Sequence, residues 1–152
     1  MTTTATLTTL IELAEARKAK AAQDFAQAAT AHARARERLV LIENYRAEYE
    51  TRMRGQAGVG VDSTLIGNTM RFISQLTTAI EQQGQETARC AAHLEAMREV
   101  FFAEERRLKS LEILAQREAQ RQAATEARQQ QKQFDEFAAR RSFGGPSTGF
   151  AL

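Results

Sequence analysis

"IGNTMRFISQLTTAIEQQGQETARCAAHLEAMREVFFAEERRLKSLEILA", residues 66–115, decides the fold. Stepping 3, 4, 3, 4 from Ile66 gives Ile66, Thr69, Ile73, Leu76, Ile80, Gln83, Thr87, Cys90, Leu94, Met97, Phe101, Glu104, Leu108, Leu111 and Ala115. Eleven of these 15 residues are apolar. Apolar residues recurring every 3.5 positions keep one stripe of a helix against a neighbour, so the run reads as one side of a coiled coil. Gly67 and Gly84 are the only glycines from Ser63 to Phe143, and no proline interrupts that span. One helix is therefore expected over about 63–142, with Asp62 or Ser63 as its cap.

Upstream, "GQAGVGVDS" (55–63) carries three glycines in six residues, whereas no Gly or Pro lies between Leu7 and Arg54. This predicts a first helix over about 7–54 and a turn over 55–62. The first helix reads less regularly. Leu7, Leu10, Ala14, Arg17, Ala21 and Ala28 follow one register, and Leu39, Ile42, Tyr49 and Met53 another. A turn of about eight residues joins antiparallel neighbours. The expected fold is all-α: a long two-helix antiparallel coiled coil, a helical hairpin, forming a single domain over 1–143 with an unpaired C-terminal helix extension. A flexible tail follows over 144–152, with fraying from Ser142 onward. At 1.5 Å per residue the helices would be about 70 Å and about 120 Å long, which predicts a rod. With the turn centred near Gly58, residue n faces roughly residue 117 − n. Leu10 then faces Lys109, Leu39 faces Ala79 and Ile80, and the second helix lacks a partner beyond about residue 112. "AQREAQRQAATEARQQQKQ" (115–133) holds no large aliphatic residue, and a long helix without an apolar seam is marginal alone in water.

The composition agrees with long helices. Of 152 residues, 26% are charged, one is proline and none is tryptophan. The net charge of +2 comes from 21 basic and 19 acidic residues, so the basic pI reflects a small excess among mixed charges and not a basic patch. The single cysteine, Cys90, allows no intramolecular disulfide and suits a reducing cytoplasm. No run approaches the ~18 apolar residues of a membrane span. The N-terminal "MTTTATLTTLIELAEARK" has no basic segment ahead of its apolar residues and is not read as a signal peptide.

Catalytic motifs do not emerge. "GQAGVG" lacks the Lys-Ser/Thr of a phosphate-binding loop and follows a helix, so it reads as a flexible turn. His32 and His93, the two histidines, are not opposite each other under the folding rule and read as partly exposed helix residues. Cys90 falls on the seam and reads as a small core residue. "ARARER" (33–38) and "EERRLK" (104–109) mix both signs and read as solvated faces; nucleic acid would need a purer basic stripe. The chain is read as a non-enzyme with no metal and no cofactor.

"LVLIENYRAEYE" (39–50) carries more apolar surface than one seam needs. Arg38, Ile42, Tyr45 and Tyr49 step 4, 3, 4 on the first helix, and Phe72, Leu76, Ala79 and Gln83 step 4, 3, 4 on the second. With Ile73, Ile80 and Leu41 filling the seam, Phe72 becomes a flanking residue. Tyr45 and Tyr49 cannot both point inward beside Leu41 and Ile42. An exposed apolar set of this kind marks a docking surface; the alternative is that the rings wrap the seam near the turn.

"YRAEY" (45–49), "FISQLTTAIEQQ" (72–83), "EERRLKSLEIL" (104–114) and "QKQFDEFAARR" (131–141), in this order and spacing, resemble the flagellar export protein FliJ family over roughly residues 7–141. Where that family often has a tryptophan, this chain has "VFFAEE", with Phe101 and Phe102 as aromatic substitutes. The resemblance implies a coiled coil similar to the stalk, or gamma subunit, of rotary ATPases, acting in the type III flagellar export apparatus. It implies binding to the export ATPase FliI with promotion of its ring assembly, to the export gate protein FlhA, and to export chaperones. It implies a monomer when free, cytoplasmic and peripherally associated with the inner membrane face at the flagellar base. No nucleic acid and no direct membrane insertion are expected. The family's gate-contacting surface maps to Tyr45, Tyr49, Phe72, Leu76 and Ala79, with Arg38, Ile42 and Gln83 at its remaining positions. The ATPase-ring surface is expected farthest from the turn, at Leu10, Leu13, Leu108, Leu111, Arg117, Arg121, Arg128 and Lys132. Two rivals are a homodimeric coiled-coil scaffold, which would run through without the glycine turn, and a weak nucleic-acid binder. The stalk protein of a virulence type III secretion system is a close cousin of the first reading.

Overall fold

The structure, a computed structural model, describes residues 2–56, 60 and 62–145. Two helices dominate it: α1 (Thr2–Gln56) and α2 (Ser63–Phe143), with no strand among the described residues. α1 begins five residues before the expected start. Its threonine-rich first turns stay helical because the Thr8 and Thr9 hydroxyls donate to the carbonyls of Thr4 and Ala5, each at 3.0 Å, which satisfies those hydroxyls within the helix.

Asp62 caps α2. Its carboxylate accepts from the Thr64 backbone N–H at 3.3 Å, and its carbonyl accepts from the Leu65 and Ile66 N–H groups, supplying partners that a helix N-terminus lacks. Gly60 has φ +34, a region other residues enter at a steric cost. The expected flexible turn falls largely on residues 57–59 and 61, outside the described residues. At the other end Gly144 donates its N–H to the Arg140 carbonyl at 3.0 Å, and an added Cβ would meet that oxygen at 3.2 Å. The expected tail, from residue 146 on, lies outside the described residues.

The heptad seam of α2 emerges as expected: all 15 positions from Ile66 to Ala115 are half-buried or buried, and Glu118 and Gln122 continue the same stepping. On α1 the structure corrects the reading. There is a single register, Leu7, Ile11, Ala14, Lys18, Ala21, Phe25, Ala28, His32, Ala35, Leu39, Ile42, Arg46, Tyr49 and Met53, stepping 4, 3 throughout. Leu10 and Arg17, assigned to the seam from the sequence, are exposed. Ala14, Ala21, Ala28 and Ala35, seven apart, are the most buried residues of α1 at 2–4% exposure. A column of methyl groups lets the partner helix approach closely, at the cost of little apolar area per residue.

By contact density the chain forms two compact units. The turn unit runs from Glu15 to Arg106. Within it α1 and α2 pair antiparallel. The Phe25 and Phe101 rings stack with centroids 6.1 Å apart, the Gln83 side chain donates to the Ala35 carbonyl at 3.1 Å, and Tyr49 meets Phe72 edge-on at 4.8 Å. Glu104 stands on the seam with one carboxylate oxygen buried and without a hydrogen-bond partner among the described residues. The terminal unit comprises α1 up to Ala14 and α2 from Arg107 onward. Here the Gln122 side chain donates to the Thr4 hydroxyl at 2.9 Å, and Leu7 and Thr8 line a small cavity with Ala115, Glu118 and Ala119.

These pairings correct the folding rule. The rule puts Thr4 opposite residue 113, but it meets Gln122. It puts Tyr49 opposite residue 68, but it meets Phe72. Side chains lean toward their own helix N-terminus. On α1 that is away from the turn and on α2 toward it, which accounts for part of the outward shift along α2; the Gln83 contact, made to the backbone carbonyl of Ala35, lies within one residue of the rule. The unpaired extension accordingly begins near Ala123, not near residue 112, and every described residue from Ala123 to Gly145 is exposed.

Candidate partner-binding site

In the turn unit the eight residues expected at the export gate divide in two. Ile42, Tyr49, Leu76 and Gln83 occupy seam positions and are half-buried against the opposite helix. Gln83 is committed there by its bond to Ala35. Arg38 and Tyr45 lie seven apart on one flank of α1, and Phe72 and Ala79 seven apart on one flank of α2. Arg38, Tyr45 and Phe72 are exposed, and Ala79 is half-buried. Tyr45 is 49% exposed and Phe72 40%. The edge-to-face contact of Tyr49 with Phe72, at an interplanar angle of 64°, joins the α1 seam to the α2 flank, a geometry that places the positive edge of one ring on the negative face of the other. The Arg52 guanidinium lies 5.5 Å from the Tyr49 ring centroid, and Arg46 pairs with Glu50 at 3.8 Å. This flank is thus an amphipathic surface with two aromatic rings outward and a seam behind them. Leu41, expected in the seam, is exposed, because Ile42 and Tyr49 already hold the inward positions there.

Sequence reasoning passed over a second feature near the turn. Met53, Ile66, Met70 and Ile73 line an apolar groove of about 500 Å³ rimmed by Glu50 and Arg54. Met53 and Met70 bordering the seam were the available signal, since methionine is common where a surface must adapt to a partner.

In the terminal unit the expected ATPase-facing set also divides. Leu108 is buried and Leu111 half-buried, both in the seam, and neither is presented outward. Leu10 and Leu13 are exposed. Arg117, Arg121, Arg128 and Lys132 are exposed and, at spacings of 4, 7 and 4, share one face of α2. Arg121 donates to Glu118 at 2.8 Å. That hydrogen bond holds the Glu118 carboxyl below the usual carboxylate range and raises the Arg121 guanidinium. Beyond residue 122, Phe134, Phe137 and Phe143 are strongly exposed, and Arg141 sits 5.9 Å from the Phe137 ring centroid. The sequence reading placed this unpaired end of the second helix, through "QKQFDEFAARR", at the ATPase ring and did not single out its rings as surface.

The remaining chemistry-bearing residues stand apart from these surfaces. Cys90 is half-buried on the seam, its thiol 3.8 Å from a Glu86 carboxylate oxygen. His32 is half-buried on α1 and His93 exposed on α2. Among the described residues no group of three or more His, Cys, Asp or Glu could hold a metal ion, and no helix is long and apolar enough to cross a membrane.

Comparison with known proteins agrees with this architecture. A curated flagellar FliJ protein of Salmonella typhi is 28% identical over 140 residues, covering 92% of this chain and 95% of that protein. The flagellar FliJ protein of Escherichia coli (strain K12) is 27% identical over the same coverage. No solved structure matches significantly. The family model described as "Flagellar FliJ protein" matches residues 3–147, nearly the whole chain, and the chain belongs to that family of flagellum biogenesis and protein export.

Proposed function

We propose that this chain is the non-catalytic coupling protein of the bacterial flagellar export apparatus. It binds the export ATPase, promotes assembly of the ATPase ring, and links that ring to the export gate protein and to export chaperones. It works in the cytoplasm, peripherally associated with the membrane at the flagellar base. Membership in the flagellar FliJ family over residues 3–147 carries this reading. Two surfaces, one in each unit, support it: an aromatic flank in the turn unit and a charged, unpaired helix in the terminal unit. A protein that joins two machines needs two faces, each usable while the other is occupied.

The gate surface consists of Arg38, Tyr45 and Phe72 outermost, with Ile42, Tyr49, Leu76, Ala79 and Gln83 forming the bed behind them. The ATPase surface consists of Leu10, Leu13, Arg117, Arg121, Arg128 and Lys132, and Leu108 and Leu111 hold the helix pair that presents it. The test is binding of the purified chain to the gate protein's soluble domain and, separately, to the export ATPase. Tyr45→Ala should weaken gate binding at least tenfold and leave ATPase binding unchanged. Exchanging Arg117 and Arg121 for Glu should do the reverse. Equal loss at both partners from either variant, or no binding of the wild-type chain to either, sinks the reading.

A further inference from the structure

Ala21, Ala28 and Ala35 stand seven apart on α1 and are 3–4% exposed. A column of identical methyl groups at that spacing fits the facing helix equally well after a slide of seven residues, so it closes the pair without setting its alignment. The other inward stripe of α1 in the turn unit alternates between apolar and basic: Phe25, His32, Leu39, Arg46 and Met53, all half-buried.

Two contacts fix the levels at which α2 meets these stripes. Phe25 stacks on Phe101, and Gln83 donates to the Ala35 carbonyl at 3.1 Å. Stepping seven along both helices from Phe25 and Phe101 sets His32 level with Leu94, Leu39 with Thr87, Arg46 with Ile80 and Met53 with Ile73. Met53 and Ile73 do line one groove. The same stepping from Ala35 and Gln83 sets Ile42 level with Leu76 and Tyr49 with Thr69. Three levels in a row, at His32, Leu39 and Arg46, thus set a polar side chain beside an aliphatic one. A slide of α2 by seven residues toward the turn would ease that mismatch. Leu39 would then meet Leu94, Arg46 would meet Thr87, Met53 would meet Ile80 and Tyr49 would meet Leu76. The six residues between Gln56 and Ser63 reach about 20 Å when extended, which accommodates a slide of about 10 Å.

One position opposes the slide. Gln83 would stand level with Ile42 in place of Ala35. A helix carbonyl keeps a lone pair beyond its own helical bond, and Ala35 leaves that lone pair open because nothing extends past its Cβ. Ile42 would cover the equivalent carbonyl and leave the half-buried amide without a partner, which costs free energy because the amide has left water.

We propose that Gln83 is the register-setting residue of the helix pair: its bond to Ala35 selects this alignment over one slid seven residues toward the turn. A polar group on a coiled-coil seam acts in this way, giving up stability for a single alignment. A slide the other way would set Ala28 level with Gln83 and restore an equivalent bond, so Gln83 acts against one direction only. The Phe25–Phe101 stack is lost in either slide and does not distinguish them. The inference concerns the chain alone and needs neither partner.

The experiment reads the register directly. Spin labels on E37C and A103C, both exposed and in the turn unit, are placed in a C90A background and their separation is measured by double electron–electron resonance. Ala103 lies beyond the level of Glu37, away from the turn, so a slide toward the turn shortens the distance and the opposite slide lengthens it. The parent with Gln83 should give one distance. Q83L, which gains an apolar pair with Ile42 in the slid alignment, should add a second, shorter distance, with helicity unchanged and the urea midpoint not lowered. Q83M keeps the shape of glutamine without its amide; it should show the same second distance and serves where Q83L loses helicity. A single unchanged distance in both variants overturns the inference, and with a lowered midpoint it makes Gln83 a stabilising residue only. Two distances in the parent, or a second distance in Q83L that is longer, overturn it as well. Loss of helicity in both variants makes the bond a requirement for folding rather than for alignment, and overturns it too.

Discussion

Tyr49 and Phe72 link the two helices at the candidate gate surface, and their edge-to-face contact makes a measurable contribution to folding. Phe72 is 40% exposed, so about 120 Å² of a ring residue of roughly 200 Å² is out of water. At about 25 cal/mol per Å² that is worth about 3 kcal/mol, an upper figure because unfolded chains are partly compact. Alanine at the same place keeps about a third of this, so Phe72→Ala should cost about 2 kcal/mol. Tyr49 is half-buried on the seam, and Tyr49→Ala should cost a similar amount. The ring pair adds about 0.5–1.5 kcal/mol beyond area burial. The double variant should therefore lose less than the two single losses together, by about that coupling. Urea unfolding followed by circular dichroism at 222 nm measures all four corners of the cycle. Tyr45 makes no ring contact with either residue and is 49% exposed, so Tyr45→Ala should add independently to Phe72→Ala. If the Tyr49/Phe72 losses are additive within about 0.3 kcal/mol, the ring–ring contact adds nothing beyond the burial of each ring, and that coupling is refuted.

Other changes test the seam and the helix ends. Ala28→Leu pushes three carbons into a position that is 3% exposed and should cost about 1–3 kcal/mol by overpacking, whereas Ala31→Leu, on the exposed side of α1, should change the urea midpoint little. Gly84→Ala should raise stability by about 0.5–1 kcal/mol, because a Cβ there meets nothing within 4 Å; an unchanged or lowered midpoint would mean that the backbone at Gly84 is not regular helix. Arg121 holds the Glu118 carboxyl below its usual range. A carboxyl whose folded pKa is lowered stabilises the fold above its unfolded pKa and loses that contribution as pH falls through the folded value. Amide protection around Glu118 should therefore decline as pH drops through and below the ordinary carboxylate range, and Glu118→Gln should remove this pH dependence, as read by hydrogen exchange at matched intrinsic rates.

The seam of α2 was legible because its positions carry large residues. Ile66, Ile73, Leu94 and Leu108 stand out against polar neighbours, and the stepping could be followed through Gln83, Thr87 and Glu104. The seam of α1 was not, because its buried members between Ala14 and Ala35 are alanines in a helix already rich in alanine. Leu10 and Arg17 then competed with Ile11 and Lys18 for the same turn of helix. The reading held Ala14, Ala21 and Ala28 but stepped three residues, not four, from Leu7 and Ala14, and so took Leu10 and Arg17 in place of Ile11 and Lys18. Counting sevens from Tyr49 back through Ile42, Ala35, Ala28, Ala21 and Ala14 to Leu7 finds the column without any appeal to size. The pairing rule missed for a different reason. It centred the turn at Gly58, although the helices end at Gln56 and begin at Ser63, and it took helices as lines, although side chains lean along them.

Surfaces that meet partners are harder to read than seams, for the same physical cause in both units. A seam repeats over many turns and leaves a period, whereas a docking stripe needs only two or three residues and leaves none. Tyr45 and Phe72 were found because they crowd a seam that had no room for them. Phe134 and Phe137 crowd nothing: around them the seam positions Lys132 and Glu136 are polar, so the helix looked merely hydrophilic. Their placement off the seam line is informative only once the end of the α1–α2 pairing at Gln122 is known. Up to that point an aromatic residue on α2 has an internal alternative, as Phe101 has in Phe25. Past it the two rings stay mostly exposed, with Arg141 beside Phe137, and apolar surface left bare on a helix contributes nothing to folding by burial.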